Sequence, residues 1–344
     1  MECPLCGIDH IISSDLLPSR PSEYFVPCPD CNKTTRPKDS PVTGSPEKKT
    51  CNCGRRPIDE VMAEIWLLLK ESGVLMGNEP LSDIGTPLIN PGVFLVRPPV
   101  LPPRSLILIT DKIPEEAALF MYEKVPEVMG IILRSGNVPG TGDLMCGSPA
   151  EGFSDTLLCG CDMRADVFPT SHGPVLITKI QHAIHVEFPN GLNLKVRSVE
   201  SNLQRTRADV FIDACSGPGT LGIVAALFGV REVIMCDVWY ASAFCAGYNL
   251  LVNQKKLRLT EVRFLESLDK MPKVRYGRPE LVCEARGENT RIRVFHGPYE
   301  GLPPILPEGI RLTAFDPFDK NAFSKNDKIM SLWRATVGGE AFIP

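Results

Sequence analysis

Apolar and polar positions change period along the chain and mark out four regions. Residues 1–56 carry almost no periodic apolar pattern. Over 57–92 the signal is helical: Ile58, Val61, Met62, Ile65, Leu68 and Leu69 recur at the spacing of one helix face, with Pro57 suited to the first turn and Gly73 to the stop. Residues 93–204 hold short apolar runs that predict strands, namely VFLV at 93–96, SLILIT at 105–110, GIILRS at 130–135, and VLITKI to NLKV across 175–196, with one helix near 114–124. The last pair turns at Pro189-Asn190-Gly191 and reads as a hairpin. From about 205 to 344 strand-like and helical stretches alternate, the pattern of a largely parallel α/β sheet.

Composition narrows the class. At 344 residues and 43% hydrophobic content the chain can bury a large core. A net charge of −4 argues against attachment to nucleic acid by bulk charge, although local basic clusters can still grip phosphates. No apolar run reaches the roughly 18–20 residues that span a bilayer, and Met1 leads straight into Cys-Pro-Leu-Cys, so a cytoplasmic protein is expected.

Eight of the thirteen cysteines fall in CxxC and CxC pairs, which suit metal chemistry in a reducing compartment. Cys3 and Cys6 form one knuckle and Cys28 and Cys31 a second, and together they supply four thiolates for a tetrahedral zinc site. Cys51 and Cys53 offer an alternative partner for either knuckle, and His10 a further ligand. All six cysteines are candidate ligands of a structural zinc, because a segment this poor in apolar residues cannot build a core unaided. Lys33, Arg36, Lys38, Lys48, Lys49, Arg55 and Arg56 nearby could hold phosphates or simply form a solvated loop. Cys146, Cys159 and Cys161 make a weaker group, three thiols without a clear fourth ligand. His182 and His185 alternate along an expected strand and read as ordinary core or surface histidines.

Residues 210–223, VFIDACSGPGTLGI, give the strongest chemical signal. An apolar strand ends on Asp213, a turn follows at Gly217-Pro218-Gly219, and a helix starts at Thr220. The next strand, REVIMCD, ends on Asp237, 24 residues after Asp213. Glycines at such a turn let backbone approach a ligand, and an acid at the second strand's tip can accept hydrogen bonds from ribose hydroxyls. The spacing is not the GxGxxG of a dinucleotide site: it reads acid-x-x-x-Gly-x-Gly.

That pattern resembles motif I of class I S-adenosylmethionine-dependent methyltransferases, whose fold is a Rossmann-like α/β sheet. The resemblance covers about 205–320 and implies that Asp213, Cys215, Gly217 and Gly219 lie against the methionine end of the cofactor. Asp237 would hold the ribose hydroxyls, Val238 or Trp239 the adenine, and His296 would stand beside the adenine site. IRVFHG at 292–297 looks like the third strand and RLTAFDPF at 311–318 the fourth, whose Asp316-Pro317-Phe318 sits where the family places motif IV. There a carboxylate can orient an exocyclic amine toward a methyl donor while an aromatic ring stacks on the base, which makes these three the candidate catalytic residues. The Asp-Pro-Phe form is similar to tRNA guanine-N2 dimethyltransferases, which also carry a cysteine-rich zinc module. The chain departs from the pattern in three places. Position 297 is Gly where many members have an acid, the second motif IV proline is absent, and 26 residues after Phe318 leave a sheet that looks cut short. Strands from 93–200 are one way to complete it. Residues 255–291, rich in Lys and Arg, read as an inserted loop facing the substrate. The expectation is a methyltransferase acting on RNA, at an amino nitrogen of a tRNA or rRNA base; a protein substrate, or a non-catalytic zinc-bearing assembly protein, are the alternatives.

Overall fold

The computed structural model describes residues 1–18, 20–31, 35–46, 51–136, 138–139, 154–317 and 323–344. After the cysteine-rich segment come β1 (Arg56–Pro57), α1 (Ile58–Glu71), β2 (Thr86–Ile89), β3 (Val100–Leu101), β4 (Leu106–Thr110), α2 (Glu115–Lys124), β5 (Val128–Leu133), β6 (Thr156–Gly160), β7 (Met163–Phe168) and β8 (Val175–Ile180). The C-terminal half runs α3 (Leu194–Thr206), β9 (Val210–Asp213), α4 (Thr220–Leu227), β10 (Glu232–Asp237), α5 (Tyr240–Val252), β11 (Leu259–Phe264), β12 (Glu280–Gly287), β13 (Arg291–His296), β14 (Arg311–Ala314), α6 (Phe323–Val337) and β15 (Glu340–Phe342). Among the described residues, no helix is long and apolar enough to cross a membrane.

The expected helices at 57–73 and 114–124 form as α1 and α2. Helix α1 lies over the middle region with Val61, Ile65, Trp66 and Leu69 buried. Asp59, Glu60 and Glu64 are buried on the same helix, and Arg36 and Arg56 of the preceding segment satisfy them. Arg36 Nε donates to Glu60 at 2.7 Å, while Arg56 pairs with Glu64 at 2.5 Å and Glu127 at 2.7 Å. Arg36 and Arg56 are therefore committed to buried carboxylates, not to phosphate; Lys33, Lys48 and Lys49 lie outside the described residues.

The middle region builds its own sheets. Strands β2, β4, β5 and β6 form a four-stranded sheet, and β7 pairs with β8 as a separate antiparallel ribbon. Two expectations fail here. Residues 93–96 are not a strand: Pro91 stands before the run and Pro98 and Pro99 after it, and only Gly92 bridges to Asp166. The expected hairpin across 175–196 is also absent, because NLKV opens helix α3. Asn193 caps that helix, its side-chain oxygen accepting from Val196 N at 3.1 Å. His182 and His185 accordingly lie beyond the end of β8 rather than on a strand.

The C-terminal half is a Rossmann-like α/β unit. Its seven-stranded sheet has the order β11-β12-β13-β10-β9-β14-β15, with β13, β10, β9, β14 and β15 parallel. The chain steps outward from β9 through β10 to β13, then returns to β14 on the other side of β9. Such a reversal opens a crevice at the carboxyl ends of the central strands. After β14 the chain supplies one helix and one strand, α6 and β15. The extra strands come not from 93–200 but from the stretch expected to be a basic loop: β11 and β12 pair antiparallel on the β13 edge. Helix α3, which spans the expected boundary at 204, packs on α4 and β14.

The two halves are joined by side chains of α5. Asn249 accepts from Thr178 N at 2.7 Å and donates to Thr178 O at 2.9 Å; Asn253 does the same for Leu176, at 3.2 and 2.7 Å. The two amides, one helical turn apart, replace a neighbouring strand along the open edge of β8. Asn249 also donates to Pro218 O at 2.9 Å, which ties the glycine turn to the same joint.

Candidate functional site

The crevice takes its shape from where three strands stop. In the sheet register Asp213 sits level with Met235 of β10 and Ala314 of β14. Asp237 and Asp316 each lie two residues further on. One carboxylate therefore forms the floor and two flank it, with the Gly217–Gly219 turn above.

Asp213 is fully buried. One oxygen accepts from Gly222 N at 3.0 Å, inside the first turn of α4, and the other has no hydrogen-bond partner. Burial, reinforced by the nearby Asp316 and Asp237, raises its pKa to about 8. Asp237 accepts from Gly217 N at 2.8 Å and Trp239 N at 2.9 Å, so it holds the turn and the start of α5 together. Burial lifts it to about 6 despite those amides. The half-buried Cys215 lies between these acids, and burial followed by their charge pushes its thiol well above the usual range.

The glycines have distinct jobs. Gly217 has φ 50° and open space where a Cβ would stand, so the turn leaves room on the crevice side. Gly219, at φ 88°, instead packs inward, with Met235 Sδ 3.0 Å from the Cβ position. Gly297 continues the inward packing: a side chain there would stand 2.6 Å from Pro279 Cα, which explains in steric terms why no acid occupies it.

His296 is fully buried, one ring nitrogen 3.0 Å from Val238 O and the other receiving Arg275 Nε at 3.3 Å. Burial, helped by Arg275, lowers it to about 4, so the ring is neutral. Both nitrogens are used inside the protein, and the residue acts by fixing Val238. Trp239 is also buried, its indole donating to Ala183 O at 2.8 Å, which leaves Val238 as the residue of the pair at the rim.

On the opposite flank Asp316 meets residues that no motif singles out. Lys195, in the first turn of α3, reaches it at 2.6 Å. Lys195 also faces Glu187 at 3.4 Å; Glu187 faces the fully buried Lys179 at 3.4 Å, and Lys179 pairs with Asp166 at 3.1 Å. Asp166 is held by Arg164 at 2.6 Å. This line of alternating charges runs from the β7–β8 ribbon to the crevice. Burial works against Glu187, yet Lys179 and Lys195 draw it down to about 2. Burial likewise opposes the charge on Lys195, and Asp316 and Glu187 outweigh it and raise its pKa. Behind Asp316, Phe315, Tyr299 and Trp333 meet edge to face with centroids 5.2–5.7 Å apart. Pro317 follows at the rim; Phe318 lies outside the described residues.

Among the described residues, two clusters of cysteines form. Cys28, Cys31, Cys51 and Cys53 come together, with Sγ–Sγ distances of 3.5 Å between Cys28 and Cys51, Cys28 and Cys31, and Cys31 and Cys53. Tetrahedral zinc with four thiolates sets neighbouring sulfurs about 3.8 Å apart, so this donor set fits the ion. The first knuckle goes elsewhere: Cys3 and Cys6 gather with His10 and with Cys161 from the β6–β7 junction. The four-thiolate pairing of Cys3 and Cys6 with Cys28 and Cys31 is thus not formed. Cys159 points away, its thiol toward Ala118 O, and Cys146 lies outside the described residues.

No protein-family model and no curated protein matches the chain. Among solved structures, it is similar to one described as the complex of aTrm5 and tRNALeu, with 12% identity and a TM-score of 0.38, covering 83% of this chain and 64% of that one. It is also similar to P. horikoshii TYW2 in complex with MeSAdo, with 15% identity and a TM-score of 0.29, covering 56% of this chain and 60% of that one. The chain spans less than two thirds of the length of either structure.

Proposed function

We propose that this protein is an S-adenosylmethionine-dependent methyltransferase that acts on RNA, at an exocyclic amino nitrogen of a tRNA or rRNA base. The observation that carries the reading is the occupancy of the α4 N-terminus. In dinucleotide sites that position binds pyrophosphate; here Asp213 takes the Gly222 amide, and two more carboxylates flank it. A crevice built this way repels phosphate and favours a nucleoside ligand that carries positive charge.

S-Adenosylmethionine supplies such a charge and, with it, an activated methyl group. The chain's own residues then have to bind, orient and exclude water. Asp237, already braced by two amides, would accept the ribose hydroxyls, with Val238 beside the adenine. Gly217 leaves space at the methionine end, where Asp213 and Cys215 lie. Asp316 would accept a hydrogen bond from the target amine and direct its lone pair toward the methyl group. Pro317 and Phe318 would shape the base pocket, as the resemblance to amino-nitrogen methyltransferases implies. Lys195, 2.6 Å from its carboxylate, is a positioning residue that keeps Asp316 aimed. Zinc on Cys28, Cys31, Cys51 and Cys53 would be structural, because four thiolates leave no open position. A reducing cytoplasmic setting suits these free thiols.

The test is transfer of a labelled methyl group from S-adenosylmethionine into cellular RNA and protein fractions, with Asp316→Ala alongside. Label in RNA, lost in the variant, is expected. Label in protein alone would replace RNA by a polypeptide substrate, and label in neither fraction would contradict the enzymatic reading.

A further inference from the structure

We infer that Cys3, Cys6, His10 and Cys161 form a second, separate zinc centre that bolts the N-terminus of the chain to the joint between its two halves. The inference does not depend on the methyltransferase reading. Its four donor atoms all lie within 4.8 Å of one another. Cys3 and Cys161 sulfurs are 3.6 Å apart, and Cys6 Sγ is 3.2 Å from His10 Nε2. A tetrahedral ion with three thiolates and one imidazole asks for about 3.8 Å between sulfurs and about 3.6 Å from sulfur to nitrogen, which a small adjustment supplies.

The loop around the first knuckle is shaped for such an ion. Leu5 N points at Cys3 Sγ at 3.4 Å, a bond that favours the thiolate form a metal needs. Gly7, at φ 72°, turns the chain back so that Cys3 N donates to Ile8 O at 2.9 Å, and this return brings His10 onto the cluster. Cys3 and Cys161 are both buried, at 2% and 7% exposure, so the thiols face each other rather than solvent.

The fourth ligand is what gives the centre a purpose. Cys161 is 158 positions from Cys3 and stands between β6 and β7, so the ion would close a very long loop. The N-terminal segment also reaches α5 and the turn after it: Tyr248 Oη donates to Glu2 O at 3.1 Å, and Lys255, beyond the helix end, pairs with Asp15 at 2.5 Å. An ion here fixes three bodies at once: the N-terminal segment, the β6–β7 junction and the helix whose asparagines hold β8 and the glycine turn. With one imidazole and three thiolates the site is coordinatively closed and structural.

The experiment is metal analysis of the full-length protein purified under reducing conditions. Two zinc ions per chain are expected in the native protein, one in Cys161→Ser and one in Cys31→Ser. His10→Cys, which keeps a donor, should hold two, and His10→Ala one. Cobalt replacement gives a check that needs no variant: two tetrahedral sites with different sulfur-to-metal absorption should fill in turn. One ion in the native protein that survives Cys161→Ser would overturn the inference. So would two ions in both, or a metal-free Cys3–Cys161 disulfide seen as a 2-dalton mass deficit, with the dalton value set by loss of two hydrogens on the order of one dalton each.

Discussion

Asp213 and Asp237, both raised by burial, make proton binding and ligand binding compete in the crevice. The folded value of Asp213 near 8 stands above its ordinary 3.8, so folding favours the protonated form. Its contribution to stability is complete below about pH 4 and is lost as pH rises toward 8. The melting temperature of the ligand-free protein should therefore fall between pH 5 and 8, and Asp213→Asn should remove most of that fall. A cationic cofactor reverses the preference. Affinity for S-adenosylmethionine should rise by on the order of tenfold from pH 6 to pH 8, since each coupled proton released changes binding by up to tenfold per pH unit. S-Adenosylhomocysteine, lacking the sulfonium charge, should show a smaller rise in calorimetric titrations. Lys195→Met should lower the single-turnover methylation rate by roughly 10–100-fold, a span typical of one misplaced orienting contact, while leaving cofactor affinity within about twofold. The places of Asp213, Gly217 and Asp237 at a strand end, a turn and the next strand end were legible because strand, turn and helix are contiguous. Lys195 was not, because it meets Asp316 across 121 positions and no local pattern announces the pair.

The elements that carry the site are held by backbone accounting more than by propensity. Asn249 and Asn253 supply the hydrogen bonds that a neighbouring strand would give β8, and both are fully buried. Asn249→Ala would leave Thr178 N and O without partners and should destabilise the fold by about 2–4 kcal/mol in denaturant titrations, the cost of two buried unsatisfied groups. Its effect on cofactor binding should exceed that of Asn253→Ala, because only Asn249 also holds Pro218. Helices α1 and α2 were legible from apolar spacing and their stop signals. The run NLKV was misread because four residues with alternating polarity suit a strand as well as a first helical turn, and the Asn193 cap decides between them. Residues 93–96 have strand-like side chains, but the surrounding prolines withhold the amides that a ladder requires.

At the scale of the molecule, the two cysteine clusters among the described residues and a shared asparagine clamp make the N-terminal half a brace for the seven-stranded sheet. The pairing of cysteines could not be read from spacing, since CxxC fits either cluster and Cys161 belongs to a distant strand junction. Nor could the completion of the sheet, because β11 and β12 are rich in charged residues: they form an edge hairpin, and Leu259 is the one buried residue of β11. The α/β class and the position of the crevice were legible, because both follow from the order of apolar runs. The measurement that bears most directly on the account is calorimetric titration of the zinc-loaded protein at pH 8 with S-adenosylmethionine and, separately, with NAD, for native protein and Asp237→Ala. Micromolar binding of S-adenosylmethionine that is lost in the variant, with no binding of NAD, is the expected result. Failure of the native protein to bind S-adenosylmethionine, or preference for NAD, would contradict the reading of the acidic crevice as a cationic cofactor site.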